Sequence, residues 1–173
     1  MKTEKWLSRG ADFPASHLNW SLILHFSPRE HWGPLDKVSG LLVSELDSFR
    51  DEVEVPLILT PVGEGAAYAT KGHAPKSWHY CIEGRNEYAR AVDVFPAWDF
   101  WRVALAALEW RWGGVGIYPF AKCGEIEGML HLDLRVGERV VWWRDQDGVY
   151  RYFRTKDALL EDILRSFHER LQG

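Results

Sequence analysis

The chain has 173 residues, 46% of them hydrophobic and 27% charged, with a formal net charge of −4, which suits a single domain over residues 1–173. Ten Trp, six Tyr and eight Phe exclude a disordered chain. The 21 Lys plus Arg against 25 Asp plus Glu argue against a nucleic-acid partner, and the apolar runs are too short for membrane insertion.

The first half of the chain predicts one helix, one strand and a long loop. Apolar residues recur at three- and four-residue steps over residues 35–53, which is typical of one face of an amphipathic helix. Residues 55–60 follow as a short buried strand that ends at Pro61. Residues 63–76 are rich in Gly, Ala and Pro and predict a loop.

The second half predicts mostly strands. A strand at 90–95 and a buried helix at 97–112 precede strands at 115–118, 129–134 and 139–144. Residues 145–148 predict a hairpin turn into a strand at 149–153, and Thr155 predicts the cap of a final amphipathic helix. This order predicts an α+β fold with a central antiparallel-rich sheet and flanking helices.

Two histidines and one aspartate are the candidate metal ligands. Asp93 lies inside an apolar strand, His79 precedes that strand, and His131 lies where leucines alternate with polar residues. In such a strand His131, Asp133 and Arg135 project from one face, which makes either a solvated exterior or the floor of a site. Three protein ligands leave the fourth tetrahedral position of a catalytic zinc ion open for water.

Five short motifs follow one another along the chain. They are Ser77-x-His79, Ala91-x-Asp93, Gly113-Gly114-Val115-Gly116-x-Tyr118, His131-x-Asp133-x-Arg135 and Trp142-Trp143. As an ordered set they resemble the zinc D-Ala-D-Ala peptidases, a superfamily that includes bacteriophage L-alanyl-D-glutamate endolysins and the hedgehog signalling domain. The resemblance covers about residues 35–143. It implies a hedgehog/DD-peptidase-like fold in which His79, Asp93 and His131 bind Zn²⁺.

The resemblance also implies an activity. It indicates a zinc metallopeptidase, a carboxypeptidase or endopeptidase of the endolysin or wall-remodelling type, that hydrolyses amide bonds in peptidoglycan stem or cross-bridge peptides. Because the hedgehog domain uses this scaffold for binding, two alternatives stay open. One is a catalytically weak zinc-binding module that recognises a wall peptide or a protein partner. The other is a phage structural protein that has kept the scaffold without a metal.

The catalytic roles beyond the metal ligands are divided among three residues. Several relatives place an acidic residue three positions before the last zinc histidine, where this chain has Gly128. Asp133 matches the H-x-D form of the motif, as general base or as the residue that orients His131, and Glu127 is the other candidate base. Arg135 is expected to hold a substrate carboxylate or to stabilise the oxyanion.

Two features depart from the family pattern. His79 and Asp93 are 14 positions apart, and the family places this pair about half as far apart. We therefore expect residues 80–88 to form an exposed excursion beside the metal. The family arginine that follows the strand corresponding to residues 55–60 is absent here, which leaves substrate specificity less well defined than metal binding.

The remaining expectations concern thiols and location. Cys81 and Cys123 do not amount to a disulfide framework, and whether they pair stays open. Residues 1–13 lack the apolar core of a signal peptide, so we expect synthesis in the cytoplasm without one. The site of action is then the periplasm or cell wall after release, or a phage particle, and the oligomeric state stays open.

Overall fold

A six-stranded mixed sheet forms the centre of the computed structural model, which describes residues 12–172. Its strands are β1 (Leu57–Leu59), β2 (Ala91–Pro96), β3 (Gly114–Cys123), β4 (Ile126–Asp133), β5 (Val140–Arg144) and β6 (Tyr150–Phe153), in the order β1-β2-β4-β3-β5-β6. Neighbouring strands are antiparallel except β3 and β5, which are parallel. With three α-helices in the same range, the predicted α+β class is confirmed.

The helices are α1 (Gly40–Val53), α2 (Phe100–Glu109) and α3 (Lys156–Gln172). Helix α1 begins at residue 40 rather than 35, because the Ser39 hydroxyl accepts a hydrogen bond from the Leu42 N–H at 3.1 Å and caps it there. Helix α2 is shorter than the predicted 97–112, because Asp99 has left-handed backbone angles and Trp110 is extended. The predicted Thr155 cap is confirmed, since its hydroxyl accepts from the Ala158 N–H at 3.3 Å.

The two faces of the sheet have different environments. One face carries the apolar core, which it shares with the helices and which includes Val92, Val115, Leu130, Leu132 and Trp143. Side chains alternate between the two faces along a strand, so the residues between these positions point the other way. The predicted inward leucines of β4 are therefore confirmed. The polar residues of the same strand, His131 and Asp133, lie on the opposite face, where they form part of a cluster of polar side chains.

The structure also bears on the expectations for membrane insertion, for the two cysteines and for the N-terminus. Within residues 12–172 no helix combines the length and apolar character needed to cross a membrane. Cys81 and Cys123 are both free thiols. The expectation drawn from residues 1–13 falls almost entirely on residues outside the described range.

Candidate metal centre

One row of paired residues crosses five strands on the sheet face opposite the apolar core. Asp93 of β2 pairs with His131 of β4, and His131 pairs with Gly116 of β3. Gly116 pairs in turn with Trp142 of β5, and Trp142 pairs with Tyr152 of β6. Directly paired residues project to the same face. This transverse row (Asp93, His131, Gly116, Trp142 and Tyr152) therefore places an aspartate, a histidine and two aromatic rings side by side.

Gly116 is needed because the indole of Trp142 lies over β3. A Cβ at Gly116 would lie 2.5 Å from Cε2 of Trp142, so any side chain at this position displaces the ring. The ring centroids of Trp142 and His131 are 5.0 Å apart, and Nε1–H of Trp142 donates to the Tyr118 hydroxyl at 3.0 Å. The indole is therefore a fixed wall of the cluster, whereas Trp143 lies in the core.

His79 reaches the cluster from the loop that precedes β2. Its side chain is buried, and its Nδ1–H donates to the Ala67 carbonyl at 2.9 Å, while the Ala69 N–H donates to the His79 carbonyl at 3.1 Å. Because a carbonyl oxygen only accepts, Nδ1 carries a proton. Nε2 is therefore the ring nitrogen that faces Asp93 and His131 and that is left to bind a metal.

The three predicted metal ligands converge in a triangle of ligand atoms. Nε2 of His79 lies 3.1 Å from Nδ1 of His131 and 3.4 Å from Oδ1 of Asp93. Nδ1 of His131 and Oδ1 of Asp93 are 3.0 Å apart. Atoms bound tetrahedrally to zinc at about 2.0–2.1 Å are separated by about 3.3–3.4 Å. The edges of the triangle are close to that separation without any movement of the backbone.

Asp133 holds His131 from the side away from the triangle. Its Oδ2 accepts from Nε2–H of His131 at 3.1 Å, and its Oδ1 accepts from Nε–H of Arg135 at 2.8 Å. Because Asp133 holds Nε2–H, Nδ1 is the ring nitrogen that faces Asp93 and that would bind a metal once its proton is lost. Gly114 lies beside this pair, and a Cβ there would overlap the Asp133 carboxylate. The geometry favours the orienting role, of the two predicted for Asp133, over the role of base.

The buried charges favour a cation at the triangle. Burial raises the pKa of Asp93, but the charge of His79 and hydrogen bonds from both histidines hold it well below its ordinary value. Burial lowers the pKa of His131, but hydrogen bonds to Asp133 and Asp93 outweigh it and raise the pKa to about 9. In the metal-free chain a proton on His131 therefore compensates these carboxylates, and a metal ion would take its place.

His73 is a further member of the cluster and lies in the loop segment 63–76. Its ring stacks on that of His79 with centroids 4.2 Å apart. His73, His79 and Asp93 form a set that could hold a metal ion, with ligand atoms within 4.8 Å of one another. Nδ1 of His131 lies closer than that to both His79 and Asp93, so we assign His131 to the triangle and His73 to its exposed side. Desolvation and the charge of His79 lower the pKa of His73 to about 4, which leaves the ring uncharged at neutral pH.

Glu127 lies far from the triangle. It precedes His131 by four residues on β4, about 13 Å along the strand. Its side chain is 55% exposed and forms an ion pair with Lys122 at 3.7 Å, where β3 and β4 are joined. This distance argues against the predicted role of Glu127 as general base.

Arg135 lies at the edge of the cluster. Its side chain is 19% exposed, and its guanidinium carbon lies 5.3 Å from the centroid of the Trp142 ring. Its Nε and one terminal nitrogen already bind Asp133. The contact of Arg135 with substrate stays a prediction. Arg135 would have to make that contact through its other terminal nitrogen.

Residues 80–88 form a loop between His79 and β2, as expected, but the loop is largely half-exposed rather than exposed, and a bridge between Ile82 and Asn86 closes it. Arg85 reaches back from it and donates to the Ser77 carbonyl at 2.7 Å, and Asn86 donates to the carbonyls at both ends of the loop. The excursion thus braces the segment that leads into His79. This supporting role was not predicted, because it depends on side-chain hydrogen bonds that no sequence pattern reveals.

No protein-family model, curated protein or solved structure matches the chain. The resemblance to the zinc D-Ala-D-Ala peptidases therefore rests on the sequence motifs. The hedgehog/DD-peptidase-like form of the α+β fold stays a prediction.

Proposed function

We propose that the chain is a zinc-dependent peptidase that acts on peptidoglycan peptides. The observation that carries the proposal is the triangle of Nε2 of His79, Oδ1 of Asp93 and Nδ1 of His131, with edges of 3.0–3.4 Å. Both rings are oriented by acceptors behind them, as is usual for histidines that bind a catalytic metal. The substrate class, peptidoglycan peptides, is proposed from the resemblance of the motifs that contain these residues to the zinc D-Ala-D-Ala peptidases.

The donor set favours zinc over the alternative divalent ions. Two neutral imidazoles and one carboxylate suit zinc, whereas magnesium and calcium prefer sites made of oxygen atoms. A zinc ion held there would supply a Lewis acid that polarises an amide carbonyl and activates water. Three protein ligands leave room for one more, which is the pattern of catalytic rather than structural zinc sites.

His73 takes the proton-accepting role in this proposal. It is the exposed member of the cluster, and its ring lies against His79, one corner of the triangle. Its backbone is held by Tyr80, whose hydroxyl accepts from the His73 N–H and donates to the His73 carbonyl, both at 2.9 Å. Asp133 faces away from the triangle and Glu127 is distant, so neither is as well placed to receive a proton from an attacking water.

We expect His73→Gln to keep one zinc ion per chain and to lower kcat by about 10²–10⁴-fold, the range of a general base. Zinc content and turnover should be measured on the same samples, with His31→Gln, at another exposed histidine, as the control. Unchanged turnover would remove His73 from the mechanism. Loss of zinc would show that His73 is a fourth ligand and not the base.

We expect Asp133→Asn to weaken zinc binding by about 10–100-fold, the usual effect of losing a partner behind a metal ligand. The variant removes the charge that holds Nε2–H of His131 and leaves Arg135 without its buried counterion. Competition titration against a chromogenic chelator measures the affinity, and Glu127→Gln is the matched control that should change nothing. Full zinc affinity with no turnover in Asp133→Asn would instead identify Asp133 as the base.

The experiment that tests the proposed function is a digestion of purified peptidoglycan and of soluble stem peptides, with release of new amino or carboxyl termini followed by mass spectrometry. We expect amide cleavage that stops when zinc is chelated and resumes when zinc is restored. Zinc binding without cleavage of any wall peptide would favour the binding-module alternative. A chain that binds no zinc would favour the structural-protein alternative.

A further inference from the structure

Exposed aromatic rings continue the transverse row beyond the metal centre. Tyr152, the last residue of the row, is 64% exposed, and its ring centroid lies 6.0 Å from that of Trp142. Tyr150 lies two residues before it on the same face of the edge strand β6 and is 46% exposed. The rings of Tyr150 and Tyr152 are within 17° of parallel, with centroids 6.4 Å apart. Trp142, Tyr152 and Tyr150 therefore form an aromatic platform that begins beside His131 and ends in solvent.

The platform is held in place by its neighbours. Trp142 is buried and bonded to the Tyr118 hydroxyl, and the Tyr118 ring packs edge-on against Tyr150 at 6.0 Å. The Arg144 guanidinium carbon lies 5.5 Å from the centre of the Tyr150 ring. Rings that are fixed before a ligand arrives lose little conformational entropy on binding. Exposed aromatic rings that lie together in one patch, unlike single exposed rings, mark an interaction site.

A pocket lies next to the platform. It has a volume of about 150 Å³, and Tyr118, Arg144, Asp145 and Gln146 contribute to its lining. A hydroxyl, a guanidinium, a carboxylate and an amide thus lie beside aromatic rings. The Asp145 carboxylate already accepts from the Asp147 and Val149 N–H groups and from Arg151, so the Arg144 guanidinium and the Gln146 amide are the groups left to bond a polyhydroxylated ligand.

The chemistry of this surface fits a saccharide. The C–H face of a sugar ring packs on an aromatic ring, and the hydroxyls around its edge bond to planar polar side chains. Single-stranded nucleic acid also stacks on aromatic rings but needs a positively charged groove, and the chain carries a net charge of −4. A strip of adjacent rings, rather than one ring, fits successive sugars of an oligosaccharide.

We infer that the aromatic platform binds an amino-sugar chain and so positions the glycan strand of peptidoglycan beside the metal centre. The identity of the strand rests on the proposed function, but the binding itself needs neither the metal nor hydrolysis. The peptide attached to such a strand would then lie toward the triangle, because the platform and the triangle belong to one row. The substrate of the peptidase is accordingly glycan-linked peptide rather than free peptide.

The test uses a tetramer of N-acetylglucosamine as the probe, titrated into the full chain with a chelator present, and follows tryptophan fluorescence. We expect saturable binding that Tyr152→Ala and Tyr150→Ala each weaken about tenfold, the equivalent of about 1.4 kcal/mol of stacking. Trp98→Ala, at an exposed ring outside the platform, is the matched control and should bind as the parent does.

The outcomes separate the inference from the proposed function. Sugar binding in a chain that cleaves no wall peptide would refute the peptidase and leave the platform intact. Cleavage of wall peptides by a chain that does not bind the tetramer, or that binds it equally well in both tyrosine variants, would overturn the platform. Binding of a thymidine oligonucleotide through the same tyrosines, with none of the tetramer, would also overturn it.

Discussion

His131→Ala is expected to abolish stoichiometric zinc binding and to reduce peptide hydrolysis to background. The substitution removes Nδ1, one corner of the triangle, which lies 3.0 Å from Asp93 and 3.1 Å from His79. Two protein ligands do not hold zinc as three do, so the loss of affinity should exceed the about 10–100-fold that follows removal of a supporting partner. Zinc content after dialysis and turnover on wall peptides measure the two effects.

Two further variants serve as controls for the His131→Ala experiment. His17→Ala removes an exposed histidine and should retain one zinc ion per chain and full turnover. His131→Gln preserves more of the buried volume, so it guards against a general failure to fold, which circular dichroism of both variants would detect. A folded His131→Ala protein that still binds one zinc ion tightly would contradict the assignment.

Removing the metal from the parent chain is expected to abolish hydrolysis and to lower the melting temperature, and added zinc should reverse both changes. Side chains that are buried or nearly so meet at the triangle, and without a metal Asp93 depends on protonated histidine for compensation. A ligand that binds only the folded state stabilises it by about 4 kcal/mol at a thousandfold excess over its Kd.

The matched control is the His131→Ala chain, whose melting temperature should not respond to zinc. Thermal melts at several zinc concentrations should therefore rise for the parent and stay level for the variant. A parent chain whose melting temperature is the same with zinc and with chelator would show that no metal binds the folded state.

Much of the sheet could be predicted because its strands have local signatures. The leucines of β4 alternate with polar residues, so the strand and its inward face follow from the period of two. The start of α1 could not be placed by periodicity, since the apolar repeat runs on before Gly40 and the break is set by the Ser39 cap. Signals that depend on one hydrogen bond are weaker than signals spread over many residues.

The candidate metal ligands were predicted from the order of motifs; strand register brings Asp93 and His131 together, and the loop before β2 brings His79 to them. Spacing places Asp133 on the face of His131 but leaves open whether it is the base or the residue that orients His131, because it does not say which ring nitrogen Asp133 meets. The position of Trp142 beside His131 depends on the parallel pairing of β5 with β3, which is a long-range contact. His73 lies in a loop without periodicity, and only folding of residues 63–76 brings it against His79.

The central claim is that His79, Asp93 and His131 hold one zinc ion, and the most direct test is anomalous diffraction at the zinc absorption edge from crystals of the zinc-loaded chain. We expect a single strong peak within about 2.0–2.1 Å of Nε2 of His79 and Nδ1 of His131, and at a similar distance from a carboxylate oxygen of Asp93. A peak at any other group of side chains, or no peak at saturating zinc, would contradict the claim.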